Sequence, residues 1–147
     1  MPSPTAEQLT GFARSTLDSA GICGRDAPGL AQALAKTTAQ ALAMFLNQAQ
    51  VLPGIPAAAP PPAHSGSTVG PGSLIPPPAG GPVAEQLEGL ALADLRGEGI
   101  AGENAPDLAK VIAGSLAQAI ELFTAQVQVA PGIAISGLVT SSPGNLI

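Results

Sequence analysis

Two long stretches of the chain carry apolar side chains at the spacing of an α-helix. The stripe runs through Leu30, Leu34, Thr38, Leu42, Phe45 and Ala49, and again through Leu108, Ile112, Leu116, Ile120, Phe123 and Val127. Steps of four, four, four, three and four residues keep each set on one helical face. The pattern therefore predicts helices over about 27–50 and 105–128.

A shorter helix is predicted before each long one, over about 5–19 and 83–95. Thr5 and Gln8 have the spacing of a capping box at the start of the first. Gly21 ends that helix and opens a turn, and Asp26 then offers an N-cap for the long helix. The second half repeats this plan, with Asn104 in the place of Asp26.

The two halves are copies of one stretch. Residues 6–55 align without a gap on residues 84–133, always 78 positions apart, with 10 identities in the first 21 pairs and 15 in the next 29. Half of the aligned positions are thus identical, and the sequence indicates a tandem duplication. We expect the two copies to superimpose, with Phe45 on Phe123 as buried anchors.

A second face of the long helices holds small residues. Ala31, Ala35 and Ala39 lie on it in the first copy, and Ala109, Ala113 and Ala117 in the second. This face is either a second packing surface, which a neighbouring helix can approach closely, or a result of the high helix propensity of Ala.

An arm rich in Pro and Gly follows each long helix, over 51–78 and 129–147. The motif PGI occurs in both arms, at 53–55 and 131–133, and PGSLI at 71–75 returns as PGNLI at 143–147. The second arm is six residues shorter and otherwise keeps the plan. Pro-Gly pairs indicate turns, and stretches such as 127–129 and 133–139 have the composition of short strands. The retained Leu and Ile favour docking of the arms outside their own helical unit, either on the sister unit or on another chain.

Charge is unusually sparse for a compact chain. Only 10% of the residues are charged, against about a quarter in a typical domain, while 46% are hydrophobic. Such a surface is typical of a protein covered by partner chains, or else of a mobile chain rich in Pro and Gly. The five basic residues do not cluster and the net charge is −5, which disfavours a direct nucleic-acid partner.

The sequence offers no recognisable chemical site. Cys23 is the single cysteine and its counterpart is Ala101, so we expect a small buried side chain there. His64 is the single histidine and stands in an arm, where a solvated loop residue is expected. We therefore predict no enzyme, no metal and no cofactor. No secretory signal and no membrane-spanning helix are expected.

The predicted fold class is mainly α with extended arms. Two tandem helical-hairpin repeats each end in a Pro/Gly-rich arm with short β segments, and they divide the chain into units 1–78 and 79–147. The packing and interface residues predicted from the stripes and the arms are Leu30, Leu34, Leu42, Phe45, Leu108, Ile112, Leu116, Ile120, Phe123, Val127, Ile55, Ile133, Leu74, Ile75, Leu146 and Ile147.

This architecture predicts a structural protein that assembles with copies of itself or with other proteins. The arm sequences LPGIP…GSTVGPGSLI and APGIA…SSPGNLI resemble those of small structural proteins of tailed bacteriophages or phage-tail-like particles. The resemblance implies a virion component, such as a capsid decoration, minor capsid or head–tail part, located in the virion or in a cytoplasmic assembly. The alternative is an amphipathic helical adaptor that binds a membrane or a partner helix.

Overall fold

The computed structural model describes residues 4–60, 65–136, 139–140 and 144–147. Within them the chain is mainly helical with a few short strands, as the sequence predicts. The helices are α1 (Ala6–Ser19), α2 (Ala27–Gln48), α3 (Ala84–Gly97) and α4 (Ala105–Gln126). The strands are β1 (Ala57–Ala58), β2 (Ser65–Thr68), β3 (Gly72–Ser73), β4 (Gln128–Val129), β5 (Ala134–Ser136) and β6 (Val139–Thr140).

Helix bounds recur at the offset of the sequence repeat. The helices α1 and α3 begin 78 residues apart and have the same length, and so do α2 and α4. The long helices end two residues earlier than the predicted 50 and 128. In both copies the Pro-Gly pair follows a few residues later, so the helix has already ended where Pro would interrupt it.

Local hydrogen bonds at the helix ends explain several of the repeated residues. At the start of α1, the Gln8 side chain accepts from the Thr5 N–H (3.0 Å), and the Thr5 hydroxyl accepts from the Gln8 N–H (3.4 Å). The side chain of Gln86 likewise accepts from the Val83 N–H (3.4 Å). The predicted capping box is therefore confirmed at α1, and its Gln half is present at α3 as well.

Two compact units make up the chain. The helical unit comprises residues 1–48 and 81–120, and the strand unit comprises residues 49–80 and 121–147. Each unit draws on both sequence copies, so these compact units differ from the division at 78–79 that the repeat predicts. Helix α4 contributes to both, with residues 105–120 in the helical unit and 121–126 in the strand unit.

The helical unit has its core where three helices meet. Ala33 of α2, Ala91 and Leu95 of α3, and Ala109 and Ile112 of α4 form one buried cluster. Half-buried apolar side chains surround it: Leu30, Leu34, Leu92, Ile100, Leu108 and Leu116. Helix α2 also packs along α1. It is thus contacted by neighbouring helices on more than one side.

Most of the small-residue face is buried on both long helices, and on α2 it is buried more deeply than the first leucines of the stripe. Ala31 and Ala35 are almost fully buried, as are Ala109 and Ala113, whereas Leu30 and Leu34 are half-buried. Of the two interpretations of this face, the structure supports the second packing surface. Ala side chains are short, so neighbouring groups can approach the helix closely there.

The predicted pair of aromatic anchors is only half right. Phe45 is buried, with 3% of its surface exposed, whereas Phe123 is 47% exposed. The prediction of a buried Phe123 is therefore wrong for this chain by itself. Both residues lie on equivalent helical faces, so the difference comes from what surrounds each helix and not from helical periodicity.

By length and composition alone, α4 could cross a membrane, since its mean hydropathy reaches 1.3 over an 18-residue window. The core helix of a soluble protein passes the same test, and a third of that window is buried inside the protein. No other helix among the described residues passes it.

Candidate assembly interface

Four segments of the two arms form the strand unit, and we label them by chain order. Segment A is 50–58, segment B is 65–75, segment C is 128–136, and segment D is 139–140 with 144–147. Antiparallel pairing joins A to B, B to C and C to D, so the strands meander across the unit. Segments A and D are then the two outer edges.

Segments A and B form a hairpin that closes the first arm. Its base is the pairing of Val51 with Leu74, flanked by hydrogen bonds from the Ile75 N–H to the Gln50 carbonyl (2.8 Å) and from the Leu52 N–H to the Ser73 carbonyl (2.8 Å). Further along, Ala57 of β1 pairs with Thr68 of β2. The described part of the arm is thus folded back on itself and does not run as one extended segment.

Segments C and D form the same hairpin in the second arm. Val129 pairs with Leu146, the Ile147 N–H donates to the Gln128 carbonyl (2.7 Å), and the Ala130 N–H donates to the Asn145 carbonyl (2.7 Å). Each of these contacts corresponds to one in the first arm, at an offset of 78 in the first strand and 72 in the second.

The six-residue difference between the arms falls at the hairpin tip. Eight residues connect Ala58 to Ser67, whereas two connect Ser136 to Val139. A longer tip leaves the pairing at the base unchanged, because loop length adds little to the entropy of closure. His64 is outside the described residues, so its predicted loop position is not observed.

Within each arm, the two repeated motifs meet through a close contact at glycine. A Cβ atom on Gly72 would lie 2.5 Å from Cδ1 of Ile55, and one on Gly144 would lie 2.7 Å from Cδ1 of Ile133. The PGI motif therefore packs against the glycine of PGSLI or PGNLI within each hairpin. This contact gives a physical reason for the retention of both motifs.

Segments B and C join the two hairpins in one register. Ser65 pairs with Ser136, and Gly72 pairs with Val129. The two pairs are seven positions apart in both segments, so the register does not change between them. Near the middle, the buried Thr68 makes three hydrogen bonds. Its N–H donates to the Ile133 carbonyl (3.0 Å), its carbonyl accepts from the Gly132 N–H (2.8 Å), and its hydroxyl accepts from the Ile133 N–H (3.0 Å).

Thr68 was missed by the sequence reasoning. A single Thr in an arm gives no periodic signal, and its role depends on a strand that lies more than sixty residues away in the chain. The repeat itself held a clue, since Thr140 stands 72 residues further on, at the offset of the second strands of the arms.

The predicted packing residues lie at different depths. The buried ones are Phe45, Leu74, Ile112, Ile120, Val127 and Ile133. The half-buried ones are Leu30, Leu34, Leu42, Ile55, Ile75, Leu108, Leu116 and Leu146. The exposed ones are Phe123 and Ile147. Those of the helical core and those of the hairpins are brought together in two separate places.

A polar cluster links α2 to α3 in the helical unit. The Lys36 ammonium donates to the Glu98 carboxylate, and the buried Thr37 hydroxyl donates to Asp94 Oδ2 (2.8 Å). When the Gln32 amide is turned so that its nitrogen, rather than its oxygen, faces Glu98, this nitrogen donates to Glu98 Oε2 (2.8 Å). The bond to Glu98 raises the pKa of Lys36 above its ordinary value of 10.5, and the charges of Glu98 and Asp94 add to this effect against the opposing effect of burial.

Chemically reactive groups are sparse among the described residues. Cys23 is exposed, so the expectation of a buried side chain there is wrong; its Sγ lies 3.7 Å from Asp18 Oδ1. It stands in a shallow groove with Arg14 and Asp18, whose counterparts in the second copy are Leu92 and Arg96. No group of three or more metal-ligating side chains is present in the described part of the chain.

No protein-family model matches the chain, and neither the curated proteins nor the solved structures contain a significant match to it.

Proposed function

We propose that this chain is a non-enzymatic structural protein that bridges neighbouring subunits in an assembly. The observation that carries the proposal is the strand unit, whose outer edges expose apolar side chains and carry no Asp, Glu, Lys or Arg. Val51 and Leu52 on segment A and Ile147 on segment D are exposed. Proteins that avoid association usually protect such edges with charged side chains.

Duplication fits a bridging role. Each repeat consists of a helical hairpin followed by an arm that folds as a β-hairpin, and the helix bounds and the arm hydrogen bonds support this plan. The arms are related by sequential rather than two-fold symmetry, since segment B of the first pairs with segment C of the second. Two binding modules in one chain can contact two neighbours at once.

The resemblance of the arms to phage structural proteins leads us to place this assembly in a virion, as a capsid decoration, minor capsid or head–tail component. The partners are then proteins, either further copies or other virion subunits, in the particle or in a cytoplasmic assembly. The sparse charge supports protein partners over direct contact with nucleic acid, because phosphate binding requires concentrated Lys and Arg.

Mass photometry or light scattering of the full chain over a range of concentrations tests the proposal. We expect species larger than one chain, and we expect a variant lacking residues 143–147 to assemble less. Its helix content, measured by circular dichroism, should stay nearly unchanged because the helical core lies in a separate compact unit. A control lacking residues 1–3 should assemble as the full chain does. A full chain that stays monomeric at all concentrations would exclude assembly through copies of itself, and a truncated chain that assembles equally well would exclude the role of the second arm in assembly.

The hydropathy of α4 favours a second candidate, an adaptor that binds membranes. Val111 and Leu122 are exposed on this helix. Ala109 and Ile112, however, belong to the core of the helical unit, and an amphipathic membrane helix usually carries Lys and Arg on its polar face. Flotation with anionic and neutral liposomes separates the candidates, since binding is expected only for the adaptor.

A further inference from the structure

We infer that segment D of one copy pairs with segment A of a second copy, in the register that segments B and C use within the chain. This inference rests on the proposed assembly function and names its partner, which is another copy of the same chain. The contact between B and C provides the pattern for the contact between D and A.

Sequence equivalence provides the first argument. Segment A corresponds to segment C at an offset of 78, and segment D corresponds to segment B at an offset of 72. The two outer edges thus carry the counterparts of the two strands that meet in the middle. Segment A therefore repeats the strand that binds B, and segment D repeats the strand that binds C. The two lie at opposite edges of the strand unit, so they can pair only between two copies of the chain.

Backbone direction in segment A matches that in segment C. The Val69 N–H donates to the Pro56 carbonyl (2.9 Å), so the backbone groups of Pro56 face segment B. Those of the adjacent Ile55 and Ala57 then face the outer edge, because successive residues of an antiparallel strand alternate in direction. Their counterparts in segment C, Ile133 and Ile135, face segment B in the same way. Pro56 has no N–H to donate, but its backbone faces segment B, so the outer edge loses no hydrogen-bond donor at this residue.

Burial shows what the edges lack. Val51 in segment A is 42% exposed, whereas its counterpart Val129 in segment C is 3% exposed. Leu74 in segment B is buried, whereas its counterpart Leu146 in segment D is only half-buried. The same residue types at equivalent strand positions are covered in the middle and uncovered at the edges. A neighbouring strand of the B or D type would cover Val51 as segment B covers Val129.

Charged side chains are nearly absent from the sequence of the strand unit. Apart from Glu121, residues 49–80 and 121–147 contain no Asp, Glu, Lys or Arg. Charged side chains on edge strands are a common device against edge-to-edge pairing, and the chain does not use it. The other charged residues of the chain all lie in the ranges of the helical unit.

The inferred register follows from the internal one. Gly72 pairs with Val129 and Ser73 with Gln128, so Gly144 should pair with Val51 of the next copy and Asn145 with Gln50 of the next copy. Because D and A are different surfaces, the contact is head-to-tail. Repeated addition then closes into a ring or continues as a filament, depending on the rotation between copies.

Cysteine pairs test this register in the full chain with Cys23 replaced by Ala. Gln50→Cys and Asn145→Cys in one chain place the thiols at opposite edges, at least about 14 Å apart because three strand spacings separate them, which is too far for an internal disulfide. Under mild oxidation with glutathione disulfide we expect a ladder of linked chains on a non-reducing gel. The matched control, Ser73→Cys with Gln128→Cys, should form a disulfide within one chain, which also reports that the strand unit is folded.

Register is checked by moving one thiol two residues, as in Gln50→Cys with Ile147→Cys, for which the ladder should be lost. Equal ladders from both pairs, or a disulfide within one chain for the first pair, would overturn the inference. Light scattering of the same samples distinguishes a failure of the inferred strand pairing from a failure of the proposed assembly function. Assembly without the ladder overturns the strand pairing alone, whereas monomers without the ladder also exclude the proposed assembly through copies of the chain.

Discussion

Equivalent residues in the two repeats occupy different environments. Val51 and Val129 have the same strand position and the same side chain, yet one is at an edge and the other is buried between strands. Phe45 and Phe123 show the same contrast on the long helices. Identical residue types at equivalent positions are therefore exposed to solvent to different extents in the two repeats.

The two phenylalanines are expected to respond differently to truncation. Phe45→Ala should lower the free energy of unfolding by about 3–5 kcal/mol, since a buried ring is lost and a cavity remains. Phe123→Ala should cost about half as much, because that residue is already 47% exposed. Urea unfolding followed by circular dichroism at low protein concentration measures both. Equal losses would show that exposure in the isolated chain does not describe the role of Phe123.

Helix ends in this protein are specified locally. Gly21 and Gly99 follow α1 and α3 with φ of 74° and 80°, and each donates from its N–H to the carbonyl three residues before it. The following residues, Ile22 and Ile100, bond to the carbonyls of Leu17 and Leu95. These are Schellman motifs, which favour glycine because a side chain in the left-handed region is strained.

Two glycines at α3 provide a matched test of this explanation. Gly99→Ala should destabilise the protein by about 1 kcal/mol, because alanine would have to adopt the positive φ. Gly89→Ala lies inside the helix with no atom within 4 Å of the added Cβ, and should stabilise it by about 0.5–1 kcal/mol. Thermal unfolding measures both changes. The explanation fails if both variants shift the melting temperature in the same direction.

The contact of α2 with α3 includes one ion pair with a predictable pH dependence. Because folding raises the pKa of Lys36, the native state holds this proton more tightly than the unfolded state. The stabilisation is therefore fully present below the ordinary lysine pKa of 10.5 and is lost as pH rises through the raised value.

Lys36→Met tests this sign against Lys110→Met, which removes an exposed lysine from α4. Unfolding free energies measured from about pH 8 to about pH 12 should show that the difference between wild type and Lys36→Met shrinks at the alkaline end. The difference for Lys110→Met should change less over the same range. Parallel curves for the two variants would contradict the assigned role of Glu98.

At the scale of the molecule, the two compact units differ in charge, and each of them contains parts of both sequence repeats. The helical unit contains nearly all of the charged residues. In the sequence of the strand unit, Glu121 is the only Asp, Glu, Lys or Arg. Each unit nevertheless takes part of both sequence repeats. The duplicated segment is therefore not the unit of packing, and neither copy contains all the residues of either compact unit.

Features that depend on neighbours a few residues away could be predicted from the sequence. Helical periodicity and capping residues predicted the described helices to within about two residues, and strand-like composition predicted short strands in the arms. Backbone conformation and local hydrogen bonds decide these features, so the residues that specify them are close in the chain.

Tertiary structure alone decided which equivalent faces are covered. Periodicity places Phe45 and Phe123 on the same helical face but does not say which face has a neighbour. The apolar arms predicted docking on the sister unit or on another chain, but not the register in which the two arms pair, nor that Thr68 would bond to Ile133. Burial is a property of two surfaces in contact, and a repeated sequence presents the same surface twice while the fold covers it only where a partner strand or helix is present.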